Sequence, residues 1–151
     1  GFSHCHGRSI GRSRRVVKQT GQVVKLTTLF PTLQETLELH DQLILRFGGS
    51  KGVRDLGLLE SALVRPRTGY YDTLSMQAAA LLQSLCQNHC FVDGNKRVAF
   101  AGTAIFLRMN GYRLSVKPVD GESFLIEQVI QKRVTIEAIA AWLEGCMIKV
   151  G

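Results

Sequence analysis

Val98-Ala-Phe-Ala-Gly-Thr-Ala-Ile-Phe-Leu107 holds a single conventionally polar side chain, Thr103. A helix that is apolar on nearly every side belongs at the centre of a bundle. Its small residues Ala99, Ala101 and Gly102 let neighbouring backbones come close. The pattern predicts a helix from about Asn95 to Asn110, ended by Gly111 as a left-handed cap. Just before it, Met76, Ala79, Ala80, Leu82 and Leu85 recur at helical spacing and predict a second, largely buried helix over about 75–88.

The remainder of the chain also reads as helices. Thr32-Leu-Gln-Glu35 after Pro31 is a capping box, and Leu33, Leu37, Ile44 and Phe47 carry a helix as far as Gly48-Gly49. His40 lies within it without an evident partner, which suggests a structural role. Asp55 is a candidate N-cap for a helix running to Val64, where Arg65-Pro66 closes it. Tyr70 and Tyr71 fall in the next loop. Two amphipathic helices are expected near 122–131 and 135–144, set off by breaks at Lys117-Pro118 and 132–134. Between Gly48 and Asp55 the composition favours turns, with a small β-hairpin around 49–54 at most. The expected fold class is all-α: one bundle of about six helices.

Apolar residues form 45% of the 151 positions and charged residues 21%, so one domain can bury a core without staples. The net charge of +7 would suggest a nucleic-acid binder, but its distribution argues otherwise. Arg8, Arg12, Arg14, Arg15, Lys18 and Lys25 carry six of the 19 basic groups on a stretch with no acid, so the other 13 face all 12 acidic ones. Only the tail has reason to seek phosphate backbones. Residues 1–24 read as a disordered basic tail, or an extension from cloning or a mis-set start, and 25–151 as the domain. His4-Cys5-His6 is a weak metal candidate because it lacks a fourth ligand. Cys86 and Cys90 read as small buried hydrophobes. With no secretory core and no apolar run long enough to span a bilayer, a reducing cytoplasm is the expected compartment and no membrane partner is expected.

Asn88-His-Cys-Phe-Val-Asp-Gly-Asn-Lys-Arg97 joins the two most apolar helices and concentrates polar and titratable groups against the core. The loop feeds a helix N-terminus, whose first amides lack intrahelical partners and favour anions. Gly94 allows close backbone approach. Lys96 and Arg97 in the first turn oppose the helix dipole, a conflict that a bound phosphate would resolve. His89 is a candidate general base and Asp93 a candidate carboxylate for Mg²⁺. The residues alone leave a plainer reading equally open: Asp93 as an N-cap, His89 as the last residue of a helix, and Lys96 and Arg97 as solvated charges. Phe91 is a core anchor under either reading.

His89-Cys-Phe91-Val-Asp93-Gly94-Asn95-Lys96-Arg97 resembles the Fic/Doc family signature HxFx(D/E)GN(G/K)R. Leu39-His-Asp41, Gly48-Gly-Ser-Lys-Gly-Val-Arg-Asp55, Leu58-Leu-Glu-Ser-Ala-Leu63 and Phe106-Leu-Arg-Met-Asn-Gly-Tyr112 resemble its Doc ("death on curing") branch. The resemblance covers about four-fifths of the chain and implies a Fic-like helical fold. It implies ATP and Mg²⁺ as cofactors, His89 as the base, Asp93 as the metal carboxylate, and Gly94, Asn95, Lys96 and Arg97 as the phosphate cradle. Lys51, Gly52 and Val53 correspond to the flap that aligns a target protein as an added strand.

AMP-transferring relatives carry Gly where Lys96 stands and a second Arg where Phe100 stands. Both departures match Doc, which passes the γ-phosphate of ATP to a hydroxyl of elongation factor Tu and halts translation. Cys90 stands where Pro is usual, without removing a catalytic group. Ala140-Ala-Trp-Leu-Glu144-Gly145 is the nearest approach to the family's inhibitory pattern (S/T)xxxE(G/N) and lacks its hydroxyl residue, so restraint by a separate Phd-like antitoxin is implied. Nucleic acid would enter only through the tail or such a complex. The alternatives are an AMP transferase and a degenerate scaffold that only binds partners.

Overall fold

The computed structural model describes residues 16–17 and 25–150. Val16–Val17 (β1) pairs antiparallel with Lys25–Leu26 (β2). The rest of the basic segment 1–24, including His4-Cys5-His6, lies outside the described residues.

Among the described residues, six α-helices build the domain. Helix α1 spans Leu33–Phe47 behind a complete capping box: Thr32 Oγ1 accepts the Glu35 amide at 3.1 Å and Glu35 Oε1 accepts the Thr32 amide at 2.8 Å. Asp55 caps α2, Leu56–Val64, which tightens into a 3₁₀ turn at Arg65–Arg67 where Pro66 cannot donate. Thr73 caps α3, Leu74–Gln87, and α4 runs Asn95–Met109 with Gly111 beyond it at φ +90°. The helices α3 and α4 form the centre of the bundle, with Ala78 to Leu82, Leu85, Val98, Ala99, Ala101, Phe106 and Leu107 all buried. A Cβ on Gly102 would come within 3.4 Å of Leu85 Cδ1, so glycine there sets how closely the two helices pack.

Where α4 ends, Asn110 ties in the entering chain. Its amide donates to Leu29 O at 2.8 Å and accepts from Leu29 N at 2.9 Å, while Phe30 stacks on Phe106.

The C-terminal third departs from the sequence expectation in three places. Pro118 opens α5, Pro118–Ser123, because its fixed φ and missing amide suit a first helical turn. The helix then widens into a π-helical stretch, Phe124–Gln131, whose last turn closes with Lys132 N on Glu127 O at 3.0 Å. Phe124 lies flat on Trp142 of α6, Ile136–Cys146, at 3.9 Å. Finally, Tyr112–Leu114 (β3) and Met147–Lys149 (β4) form a two-stranded antiparallel sheet, with Arg113 opposite Ile148. Residues 49–54 do not close on themselves as a hairpin. Val53 instead makes a single antiparallel bridge to Phe91 across the bundle surface.

Candidate active site

The loop between α3 and α4 is held from three sides. On the first, the 50s segment lies along it: Arg54 N and Asp55 N donate to Cys90 O at 2.7 and 3.0 Å, and Val92 N donates to Gly52 O at 3.0 Å. On the second, α4 grips it through Asn95, whose carboxamide accepts from Phe91 N and donates to Phe91 O, each at 3.0 Å. On the third, α1 lies beneath it, where His40 stacks on Phe91 at 3.9 Å and sits 2.8 Å from Asp93 O. Phe91 is only 1% exposed and anchors the loop, as its sequence position suggests.

These restraints leave the candidate chemical groups facing outward. His89 is exposed and has φ +51°, a backbone conformation uncommon for a residue with a Cβ. Its carbonyl accepts from Arg54 Nε at 2.8 Å. Asp93 is exposed too, with Oδ2 accepting the Ser50 amide at 3.1 Å and Oδ1 the Gly94 amide at 2.8 Å. Those two amides, Ser50's foremost, hold its pKa below the usual carboxylate range; burial opposes the shift and Arg97 assists it. Asp93 therefore does not cap the helix. Gly94 occupies the cap position at φ +79° with no side-chain cap bond, so the first amides of α4 keep their affinity for an anion.

Lys96 and Arg97 are exposed on that first turn, and the Arg97 guanidinium lies 4.7 Å over the Phe47 ring. His89, Asp93, Lys96 and Arg97 are thus all exposed along the loop and the first turn of α4, with Gly94 half-buried between them. The Asn95 carboxamide is turned toward Phe91 at both ends, which leaves one Nδ2 proton and the backbone amide to offer a phosphate. Lys51 and Val53 are exposed beside the loop, and Gly52 (φ +115°) carries the carbonyl that meets Val92.

Mg²⁺ is commonly held by one or two carboxylates with substrate phosphates completing the shell. No three His, Cys, Asp or Glu side chains gather among the described residues, but Asp93, exposed and braced beside unpaired helix amides, fits that shared mode. The cysteines do not compete for the chemistry. Cys86 and Cys90 are buried, and burial raises both thiols, Cys86 to about 11.

Two positions, one bearing on the reaction type and one on restraint, lie away from the loop. Phe100 turns its ring toward α5, where a Cβ on Gly121 would stand 2.6 Å from it. Glu144 hydrogen-bonds Ser75 Oγ near the start of α3, the opposite end of that helix from His89 and roughly 20 Å away at 1.5 Å per residue. Sequence reasoning missed Ser50, Arg54 and the His40 contact. Only the glycines flanking Ser50 hinted at a close approach.

Residues 30–107 match the model of the Fic/DOC family. The chain is 41% identical over 122 residues to the protein called Toxin Doc of Mycolicibacterium smegmatis (strain ATCC 700084 / mc(2)155), covering 75% of this chain and 94% of that one. It is 34% identical over 89 residues to the protein called Protein kinase doc of Escherichia phage P1, covering 56% of this chain and 71% of that one.

Proposed function

This chain belongs to the Fic/DOC family, and from that premise we propose that it is a Doc-like toxin that transfers the γ-phosphate of ATP to a hydroxyl of a protein target. The observation that carries the reading is one nine-residue loop and helix start that holds an exposed His89, a braced Asp93 carboxylate and an N-terminus of α4 without a side-chain cap.

In this reading His89 takes the proton from the target hydroxyl as its oxygen bonds to Pγ. The bond from Pγ to the β-phosphate oxygen breaks, and ADP leaves. The backbone amides of Asn95 and Lys96, which follow Gly94 at the start of α4, with the Lys96 and Arg97 side chains, hold and neutralise the phosphates, so catalysis is positioning and charge stabilisation. Asp93 would hold Mg²⁺, which when bound neutralises phosphate charge. Lys51, Gly52 and Val53 line up the target segment beside His89. The target implied by the family resemblance is elongation factor Tu, with arrest of translation as the consequence. Lys96 and the inward ring of Phe100 favour phosphate over AMP as the transferred group, because no second arginine grips the γ-phosphate. Glu144 lies a helix length from the site, which favours restraint by a separate, Phd-like antitoxin.

ATP labelled separately at the α- and γ-phosphates tests this, with purified elongation factor Tu and a cell lysate as acceptors. The expected result is γ-label on a protein acceptor, abolished in a folded His89→Ala variant. Transfer of the α-label alone makes the protein an AMP transferase. Absence of any turnover makes it a binding scaffold.

A further inference from the structure

We propose that His40 is a positioning residue for the Asp93 carboxylate, acting from α1 through the Asp93 main chain. His40 is 2% exposed and lies 53 positions from Asp93 in sequence, and the transfer chemistry above makes no use of it. Its Nε2 stands 2.8 Å from Asp93 O, so this nitrogen carries the proton and donates. Its ring lies 3.9 Å from that of Phe91, with the planes 11° apart. With Ile44 one turn along α1, it also forms the floor beneath Gly94: a Cβ there would stand 3.4 Å from Ile44 Cδ1 and 3.7 Å from His40 Nε2.

An aliphatic side chain at position 40 would fill the core without desolvating a ring nitrogen. What the imidazole adds is the bond to Asp93 O. That bond fixes the Asp93–Gly94 peptide from below, while the Ser50 and Gly94 amides hold the carboxylate from above. Asp93 is thereby pinned at main chain and side chain together, and its carboxylate is pre-organised before any ligand arrives. The latch itself stands on these contacts. What it is for rests on the proposed function.

Two substitutions separate the ring from its donor. His40→Phe keeps a flat ring against Phe91 and loses the donor; His40→Gln restores a donor at comparable reach and loses the ring. Amide hydrogen exchange is compared for segments 89–95 and 76–86, beside Mg·ATP affinity and the kcat and KM of label transfer. The expected outcome for His40→Phe is exchange about tenfold faster in 89–95 with 76–86 unchanged, the loss typical of one hydrogen bond. Its KM for Mg·ATP should rise more than its kcat falls, and His40→Gln should recover most of both. A folded His40→Phe protein with wild-type exchange and Mg·ATP affinity overturns the proposal, as does a folded His40→Gln protein no better than His40→Phe. Where His40→Phe does not fold, His40→Gln decides alone: near-wild-type exchange in 89–95 supports the latch and fast exchange overturns it. Should wild-type protein transfer no label, the proposed function falls, and the exchange comparison still decides the role of His40.

Discussion

Gly49 is pressed against Asp93: a Cβ at position 49 would stand 2.7 Å from Asp93 Oδ2 and 3.2 Å from its Cγ. Gly49 also has φ +111°, so its glycine character serves both the turn and the seat of the carboxylate. Gly49→Ala should displace the carboxylate and weaken Mg·ATP binding about tenfold or more. Gly48→Ala is the control. Position 48 also has positive φ (+85°, with ψ 179°) but open space around it, so this change should cost about 1–3 kcal/mol of stability and leave nucleotide affinity nearly unchanged. Calorimetric titration together with thermal unfolding checks the pair.

Asp93 predicts a pH dependence with a defined sign. Its pKa is lowered in the folded protein, first by the Ser50 amide and then by the Gly94 amide. The stabilisation this reports is fully present above the ordinary carboxylate value and is lost as pH falls through the lower native value. Ser50 should therefore stay protected from exchange until the pH drops below the usual carboxylate range. In Asp93→Asn that acid-linked loosening of residues 49–54 should be absent. A carboxyl-carbon NMR titration of Asp93 reads the direction of the shift directly.

Arg54 spends Nε on His89 O while its own amide holds Cys90 O, so it braces the peptide that keeps His89 at positive φ. Arg54→Ala should lower kcat about tenfold or more, the loss of a charge-assisted bond, with little change in melting temperature because the side chain is exposed. A fall in kcat/KM traced wholly to KM would place Arg54 in binding rather than in support of His89.

Thr103 makes the opposite kind of prediction. Its hydroxyl is wholly buried in α4 and finds no hydrogen-bond partner among the described residues. Thr103→Val replaces that hydroxyl with a methyl of similar size. Stability should rise by up to about 1 kcal/mol, read by thermal or urea unfolding, with transfer activity unchanged.

The sequence by itself determined most of the helices and singled out the loop before α4 as the candidate site. Capping and periodicity are local: Thr32 with Glu35, Asp55 before Leu56, Gly111 after α4 and the nearly unbroken apolar run from Val98 each declare themselves within a few residues. The loop was legible because His89, Asp93, Gly94, Lys96 and Arg97 lie within nine positions of one another. Only the tertiary structure decided what holds that loop in shape. His40, Ser50 and Arg54 reach it from 35 to 53 positions away, through contacts that leave no mark on the periodicity of their own segments. The small sheet escaped the sequence for the same reason, since Tyr112–Leu114 and Met147–Lys149 are three residues each and become strands only when the fold brings them side by side. Asn95 joins both cases: its position in the motif was plain, but the direction of its carboxamide, inward to Phe91, followed from packing.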